Sequence, residues 1–208
     1  MTIIWDWNGT LLDDAAIAVA TDNEIFRRYG IPLLTMETYR RHFRHPVADF
    51  YEEVGVPRDL FPKLAEEWSP IYEKLSRDCP LRKGSEDVIR RLHEKGFRQA
   101  IVSASPVEVL RRQVAGYPTL AAMMDDVEGL GDAYGASKVA LAKSYLERKD
   151  VRDALFIGDT THDAEVARTA GCPCLLVQGG HQTDEVIRAS GAEIFPDLNA
   201  VYERIVNA

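Results

Sequence analysis

Short apolar runs and stretches of helical periodicity alternate along most of this chain. Ile3-Ile4-Trp5 runs straight into Asp6, and Gly9-Thr10 breaks the run before Leu11-Leu12, the pattern of a buried strand emptying into a tight loop. From Asp13-Asp14 the spacing turns helical through Ile17, Ala20, Ile25 and Arg28, and Gly30-Ile31-Pro32 stops it. Thr38 to Tyr51 predicts a second helix interrupted at His45-Pro46, because proline pushes the residue before it out of the helical region. After Gly55-Val56-Pro57, a third helix is expected over Lys63 to Arg77, with Leu64, Trp68, Ile71, Tyr72 and Leu75 as its apolar stripe. Between Asp14 and Cys79 there is no strand pattern.

From Pro80 the texture changes. Ser85 is a suitable N-cap for a helix that Lys95-Gly96 ends, and Phe97 to Val102 is a strand. Ser105-Pro106-Val107-Glu108 has the form of a capping box opening a helix to about Val114. Ala122 to Val127 is a weaker strand, Ser137 to Arg148 a helix, and Ala154 to Ile157 a strand. Asp163 to Ala170 is a helix stopped by Gly171, Cys174 to Val177 a strand, and two helices over about Thr183 to Ala189 and Leu198 to Val206 close the chain. Strands alternating with helices imply the α/β class, a parallel sheet with helices on both faces, interrupted by an all-helical insertion.

Composition narrows the function classes. The chain has 208 residues, 46% hydrophobic and 28% charged, ordinary for a globular protein. No apolar run approaches the roughly 18 residues needed to span a bilayer, and the N-terminus lacks a signal-peptide pattern, so no membrane role and a cytoplasmic location are expected. A formal charge of −8 argues against nucleic acid as a partner. Cys79, Cys172 and Cys174 lack the spacing of a redox or zinc pair and read as reduced thiols.

The chemistry lies in the loops that follow the strands. Asp6-Trp7-Asn8-Gly9-Thr10 by itself is more readily a plain turn. Three further loops, taken in order, change that reading. Ala100-Ile101-Val102 ends in Ser103-Ala104-Ser105, Lys138 opens the next helix, and Leu155-Phe156-Ile157 ends in Gly158-Asp159 with Asp163 four residues on. Two aspartates brought together from separate strands need a cation between them, and magnesium, a hard ion seeking about six oxygens, suits such a site.

In this order the four loops resemble the motifs of the haloacid dehalogenase-like hydrolases, in the helical-cap, phosphoglycolate phosphatase-like branch. That resemblance implies a Rossmann-like core over 1–13 and 80–208 with a mobile helical cap over 14–79. It implies a Mg2+-dependent phosphatase in which Asp6 is nucleophile and metal ligand, Asn8 lends its backbone carbonyl to the metal, and Asp159 and Asp163 complete the metal set. Lys138 and Ser103, with the adjoining Ala104, would bind the phosphate of a small phosphorylated metabolite, and Thr10 would support the loop beside it. From the cap, Arg44 and His45, with Arg41, are expected to meet a second anionic group. Gly179-Gly180-His181 reads as a turn after the last core strand. A monomer or a homodimer is expected.

Asn8 departs from the family pattern, which has an aspartate there as general acid and base. An amide can do neither, and losing such a group typically costs about 10²- to 10⁴-fold. Three readings stay open. One is a phosphatase that is slow, favours acyl or aryl phosphates, or uses another group such as His162 or a cap histidine. Another resembles phosphonoacetaldehyde hydrolase, a carbon-phosphorus hydrolase needing a cap lysine, for which Lys63 and Lys74 are the candidates. The third is a phosphate- or metal-binding protein with negligible turnover.

Overall fold

The computed structural model describes residues 1–131 and 137–207. Its centre is a six-stranded sheet, every pairing parallel, in the order β3-β2-β1-β4-β5-β6. The strands are β1 (Thr2–Trp5), β2 (Arg98–Pro106), β3 (Asp126–Leu130), β4 (Ala154–Gly158), β5 (Cys174–Val177) and β6 (Glu193–Phe195). The strand order reverses between β1 and β4, and in such doubly wound sheets the crevice at that reversal receives ligands. Trp5 lies opposite both Ile101 and Ile157, so Asp6 and Asp159, leaving β1 and β4, and Ser103, on β2 between Ile101 and the strand's end, stand at nearly one level.

Each face of the sheet has its own core. Ile3, Trp5, Ile101 and Ile157 pack beneath α5 (Ser85–Glu94), α6 (Val107–Ala115) and α11 (Leu198–Val206). Ile4, Ala100 and Phe156 pack beneath α8 (Lys138–Arg148) and α9 (Thr161–Ala170). Burial on both faces explains why the strands read as unbroken apolar runs rather than as alternation.

Residues 15–75 form α1 (Ala15–Tyr29), α2 (Met36–His42), α3 (Val47–Glu53) and α4 (Phe61–Leu75). These helices bury a separate cluster that includes Phe26, Tyr39, Phe50 and Leu64. A cis His45-Pro46 peptide joins α2 to α3, at the interruption expected there.

Local signals misled at several points. β6 was not anticipated, since three residues at a sheet edge give no readable period. β3 starts at Asp126 rather than Ala122, because a single turn of helix, α7 (Pro118–Ala121), occupies the preceding segment. β2 continues to Pro106, so Ser105 caps nothing and its hydroxyl turns toward Asn8. Ser85 likewise lies inside α5, donating to the Leu11 carbonyl, while Gly84 takes the cap position. In both cases a tertiary partner outcompetes the local cap. Among the described residues, no helix is long and apolar enough to cross a membrane.

Candidate active site

Asp6 leaves β1 between two fully buried tryptophans whose indole N–H groups are pinned, Trp5 to Gln99 and Trp7 to Gln113. Its side chain is 12% exposed and faces Lys138, whose Nζ donates to Asp6 Oδ1 at 2.5 Å and to Asp163 Oδ1 at 2.6 Å. The other Asp163 oxygen closes a capping box at the start of α9, accepting from the Thr160 amide at 3.0 Å and hydroxyl at 2.7 Å. Asp159, directly off β4, accepts from the Thr10 hydroxyl at 2.8 Å and the His181 amide at 2.7 Å. Space for these carboxylates depends on glycine: a Cβ at Gly180 would lie 2.1 Å from Asp159 Oδ2, and one at Gly158 would lie 2.2 Å from Asp163 Cγ.

Ligand oxygens of Asp6, Asp159 and Asp163 all lie within 4.8 Å of one another. Burial, with the charges of Asp163 and Asp159 adding to it against Lys138, pushes Asp6 up to about 7. Burial raises Asp159 as well. Asp163 goes the other way, because Lys138 and the Thr160 donors outweigh its burial and hold it down to about 2. One ammonium therefore compensates three clustered carboxylates. The remaining negative charge and the all-oxygen donor set fit a hard divalent cation.

Asn8 is committed elsewhere. Its Nδ2 donates to Asp14 Oδ2 at 2.8 Å and to the Tyr72 hydroxyl at 2.6 Å, and its Oδ1 accepts from Ser105 Oγ at 2.7 Å. Asp14 in turn accepts from the Gly9 amide at 2.8 Å and from Tyr72 at 2.6 Å, and lies 3.2 Å from His181 Nε2. Tyr39 closes the chain at 2.7 Å from His181 Nδ1. Burial alone would raise Asp14 and lower His181. Their mutual attraction wins at both ends, keeping Asp14 below the usual carboxylate range and lifting His181 to about 9. The pair is thus a buried ion pair.

Asp14 gave only the signal of a helix opener in the sequence, yet its side chain makes no cap hydrogen bond. His181, read as part of a turn, is 5% exposed and borders the cavity. Nothing in the chain pattern singled out Tyr39, Tyr72 or Asp22 as site residues.

A cavity of about 270 Å³ opens over Asp6 and Lys138, bounded opposite by the helical segment. Ser103, Ala104 and His45 border it, as does His162, whose ring stacks on His45 with centroids 4.4 Å apart. Burial, reinforced by His162 and Lys138, drives His45 down to about 3 and keeps it neutral. Thr10 is fully buried, holding Asp159 rather than bordering the cavity. Arg44 does not enter: its guanidinium pairs with Glu53 and reaches the Asp49 carbonyl. Arg41 pairs with Glu37 at 2.8 Å on the surface. The expected cationic lip is satisfied by acidic residues of its own helices. Lys63 sits over the Tyr29 ring, and among the described residues the cavity's one lysine is Lys138. A cap-lysine reaction on carbon-phosphorus substrates has no lysine in position there.

Sheet order, carboxylate cluster and lysine together define a hydrolase site at a topological switch point. Residues 3–177 match the family model described as haloacid dehalogenase-like hydrolase, and the chain belongs to that family. It is similar to a phosphoglycolate phosphatase from Vibrio parahaemolyticus, at 27% identity over 94% of this chain and 91% of the relative. A phosphoglycolate phosphatase from Caulobacter vibrioides is 28% identical over 93% and 85%. Among solved structures, a predicted phosphatase from Clostridium acetobutylicum superposes with TM-score 0.88 at 18% identity, covering 100% of this chain and 98% of that one. A haloacid dehalogenase-like hydrolase from Streptococcus pneumoniae gives 0.86 at 18% identity over 98% and 97%.

Proposed function

We propose that this chain is a magnesium-dependent phosphatase of small phosphorylated metabolites, with Asp6 as the nucleophile and 14–79 as a cap over a core of 1–13 and 80–208. The observation that carries this reading is Lys138 held between Asp6 and Asp163 at 2.5 and 2.6 Å, with Asp159 beside them. Curated relatives that are phosphoglycolate phosphatases support the same class of reaction.

Asp6 would attack phosphorus along the line of the departing oxygen, taking the phosphoryl group onto its carboxylate, and water would then hydrolyse that acyl phosphate. Lys138 and the Ser103 hydroxyl would bind the phosphoryl oxygens. Asp6, the Asn8 carbonyl, Asp159 and Asp163 would hold a divalent cation, which supplies charge neutralisation for the phosphoryl oxygens. Because the Asn8 amide carries no acidic proton, esters whose leaving groups are stable as anions, aryl and acyl phosphates, would turn over fastest.

Phosphate release from p-nitrophenyl phosphate and acetyl phosphate, with and without magnesium, tests the reading in the wild type and in Asp6→Asn. The expected result is magnesium-dependent turnover that Asp6→Asn reduces to background. Equal release by wild type and Asp6→Asn would remove Asp6 from the reaction.

A further inference from the structure

The part of the cavity away from Lys138 is walled by aromatic rings of the helical segment. Trp68 and Tyr72 stack with centroids 4.4 Å apart along α4, and Phe61 packs edge-on to Tyr51 at 5.4 Å. Tyr51 and Trp68 converge on a single carboxylate. Asp22 Oδ1 accepts from the Tyr51 hydroxyl at 2.5 Å and from Trp68 Nε1 at 2.9 Å. Asp22 is 2% exposed and borders the cavity, and its Oδ2 has no hydrogen-bond partner among the described residues.

The unpaired charge around this wall is negative. Among the described residues no arginine borders the cavity, and its cations already face carboxylates, Lys138 those of Asp6 and Asp163 and His181 that of Asp14 at 3.2 Å. Of the other acidic residues beside this wall, Glu73 is paired with Arg112 at 2.8 Å and Asp14 lies 3.2 Å from His181. Asp22 therefore stands as the uncompensated group. A substrate carrying a carboxylate or second phosphate there would meet like charge and find no cation free of a carboxylate partner. An ammonium among aromatic faces would meet ring quadrupoles and a carboxylate oxygen together, the usual recognition of alkylammonium ligands.

From this juxtaposition we infer that the substrate is a phosphate ester whose alcohol half bears an alkylammonium group, seated between the Trp68 and Tyr51 rings with its charge toward Asp22 Oδ2. The inference rests on the phosphatase reading for the phosphate end of the molecule. It departs from the sequence expectation of a second anionic group in predicting that the second recognition element is cationic.

Binding separates the two readings from one another. Calorimetric titrations of the full chain in magnesium buffer at pH 8.5, above the value of about 7 to which burial lifts Asp22, would compare phosphocholine, its uncharged carbon isostere 3,3-dimethylbutyl phosphate, and 2-phosphoglycolate. Phosphocholine is expected to bind at least about tenfold more tightly than the isostere, and phosphoglycolate most weakly of the three. In Asp22→Asn, whose Oδ1 still accepts from Tyr51 and Trp68, the preference for phosphocholine should shrink to about twofold or less. Equal binding of the two isosteres by the wild type, or tighter binding of phosphoglycolate, overturns the inference whether or not the variant folds. Turnover of p-nitrophenyl phosphate reports separately on the phosphatase reading. Turnover without an ammonium preference defeats only the substrate class, and an ammonium preference without turnover defeats only the chemistry.

Discussion

Asn8 Nδ2 lies 2.8 Å from Asp14 Oδ2, inside a buried network that also takes in Tyr72, Ser105 and His181. A carboxylate two residues beyond Asp6 would stand against an Asp14 already held in its ionised form. The amide is thus matched to Asp14: it can donate where a second aspartate would repel.

Asn8→Asp alone is therefore expected to lower stability by roughly 1 to 3 kcal/mol, read as a fall in the thermal midpoint, and not to behave as a simple repair of catalysis. Asn8→Asp combined with Asp14→Asn exchanges amide and carboxylate. That double variant should regain only the part of the midpoint owed to the restored amide–carboxylate contact, since the carboxylate facing His181 is lost, and should raise turnover of alkyl phosphates by about 10²-fold over wild type. An unaltered midpoint in the single variant would mean that the Asn8–Asp14 contact is not close in solution.

Tyr72→Phe keeps the stack on Trp68 but removes the hydroxyl that joins α4 to both Asn8 and Asp14. The expected cost is about 0.5 to 1.5 kcal/mol of stability. Because this bond holds the helical segment over Asp6, KM for p-nitrophenyl phosphate should rise more than kcat falls. A change confined to kcat would assign the hydroxyl to the chemical step instead.

Stability should depend on pH through Asp22. Burial lifts its carboxyl to about 7 from an ordinary 3.8. The folded state holds the proton more tightly than the unfolded chain, so its stabilising contribution is complete below about pH 4 and is lost as pH rises through about 7. Urea midpoints of the wild type should fall between pH 5 and 8.5, by an amount worth on the order of 2 to 4 kcal/mol. Asp22→Asn should show a flatter profile and be the more stable protein at the alkaline end. Parallel profiles would mean that Asp22 is ionised throughout.

Arg44→Ala should leave KM for anionic substrates unchanged, since the guanidinium is 46% exposed and paired with Glu53 away from the cavity. An exposed ion pair of this kind contributes about 0 to 1 kcal/mol. A rise in KM specific to dianionic substrates would return Arg44 to the site.

Magnesium should raise the thermal midpoint of the wild type, because an ion bound only by the folded state stabilises it by mass action. EDTA should reverse the rise, and Asp159→Asn should remove most of it, the cluster having lost one of its three carboxylates. A shift that survives in Asp159→Asn would locate the bound ion elsewhere.

The sequence by itself determined the α/β class, the helical segment, and the carboxylate and lysine residues of the site. The class and the helical segment depend on local periodicity, and Asp6 and Asp159 on directly following an apolar run. Lys138 and Asp163 stood out instead through the resemblance of the four loops, in order, to the family motifs. Asp6 and Asp159 were legible because a strand buried on both faces also delivers the residue at its end to the crevice, while Ser103 lies inside β2 beside them.

Only the tertiary structure decided what surrounds them. Asp14 lies eight residues beyond Asp6 and His181 far along the chain, and neither pattern nor spacing says that they pair across the site. Arg44 looked like a substrate ligand because a dense basic run was visible, while its acidic partner Glu53 came from the next helix. Asp22 carried no signal beyond an acidic position on a helix. It gained a role because Tyr51 and Trp68, from two other helices, converge on it in a buried space. Burial and long-range partners set the charge of a side chain, and one-dimensional periodicity records neither.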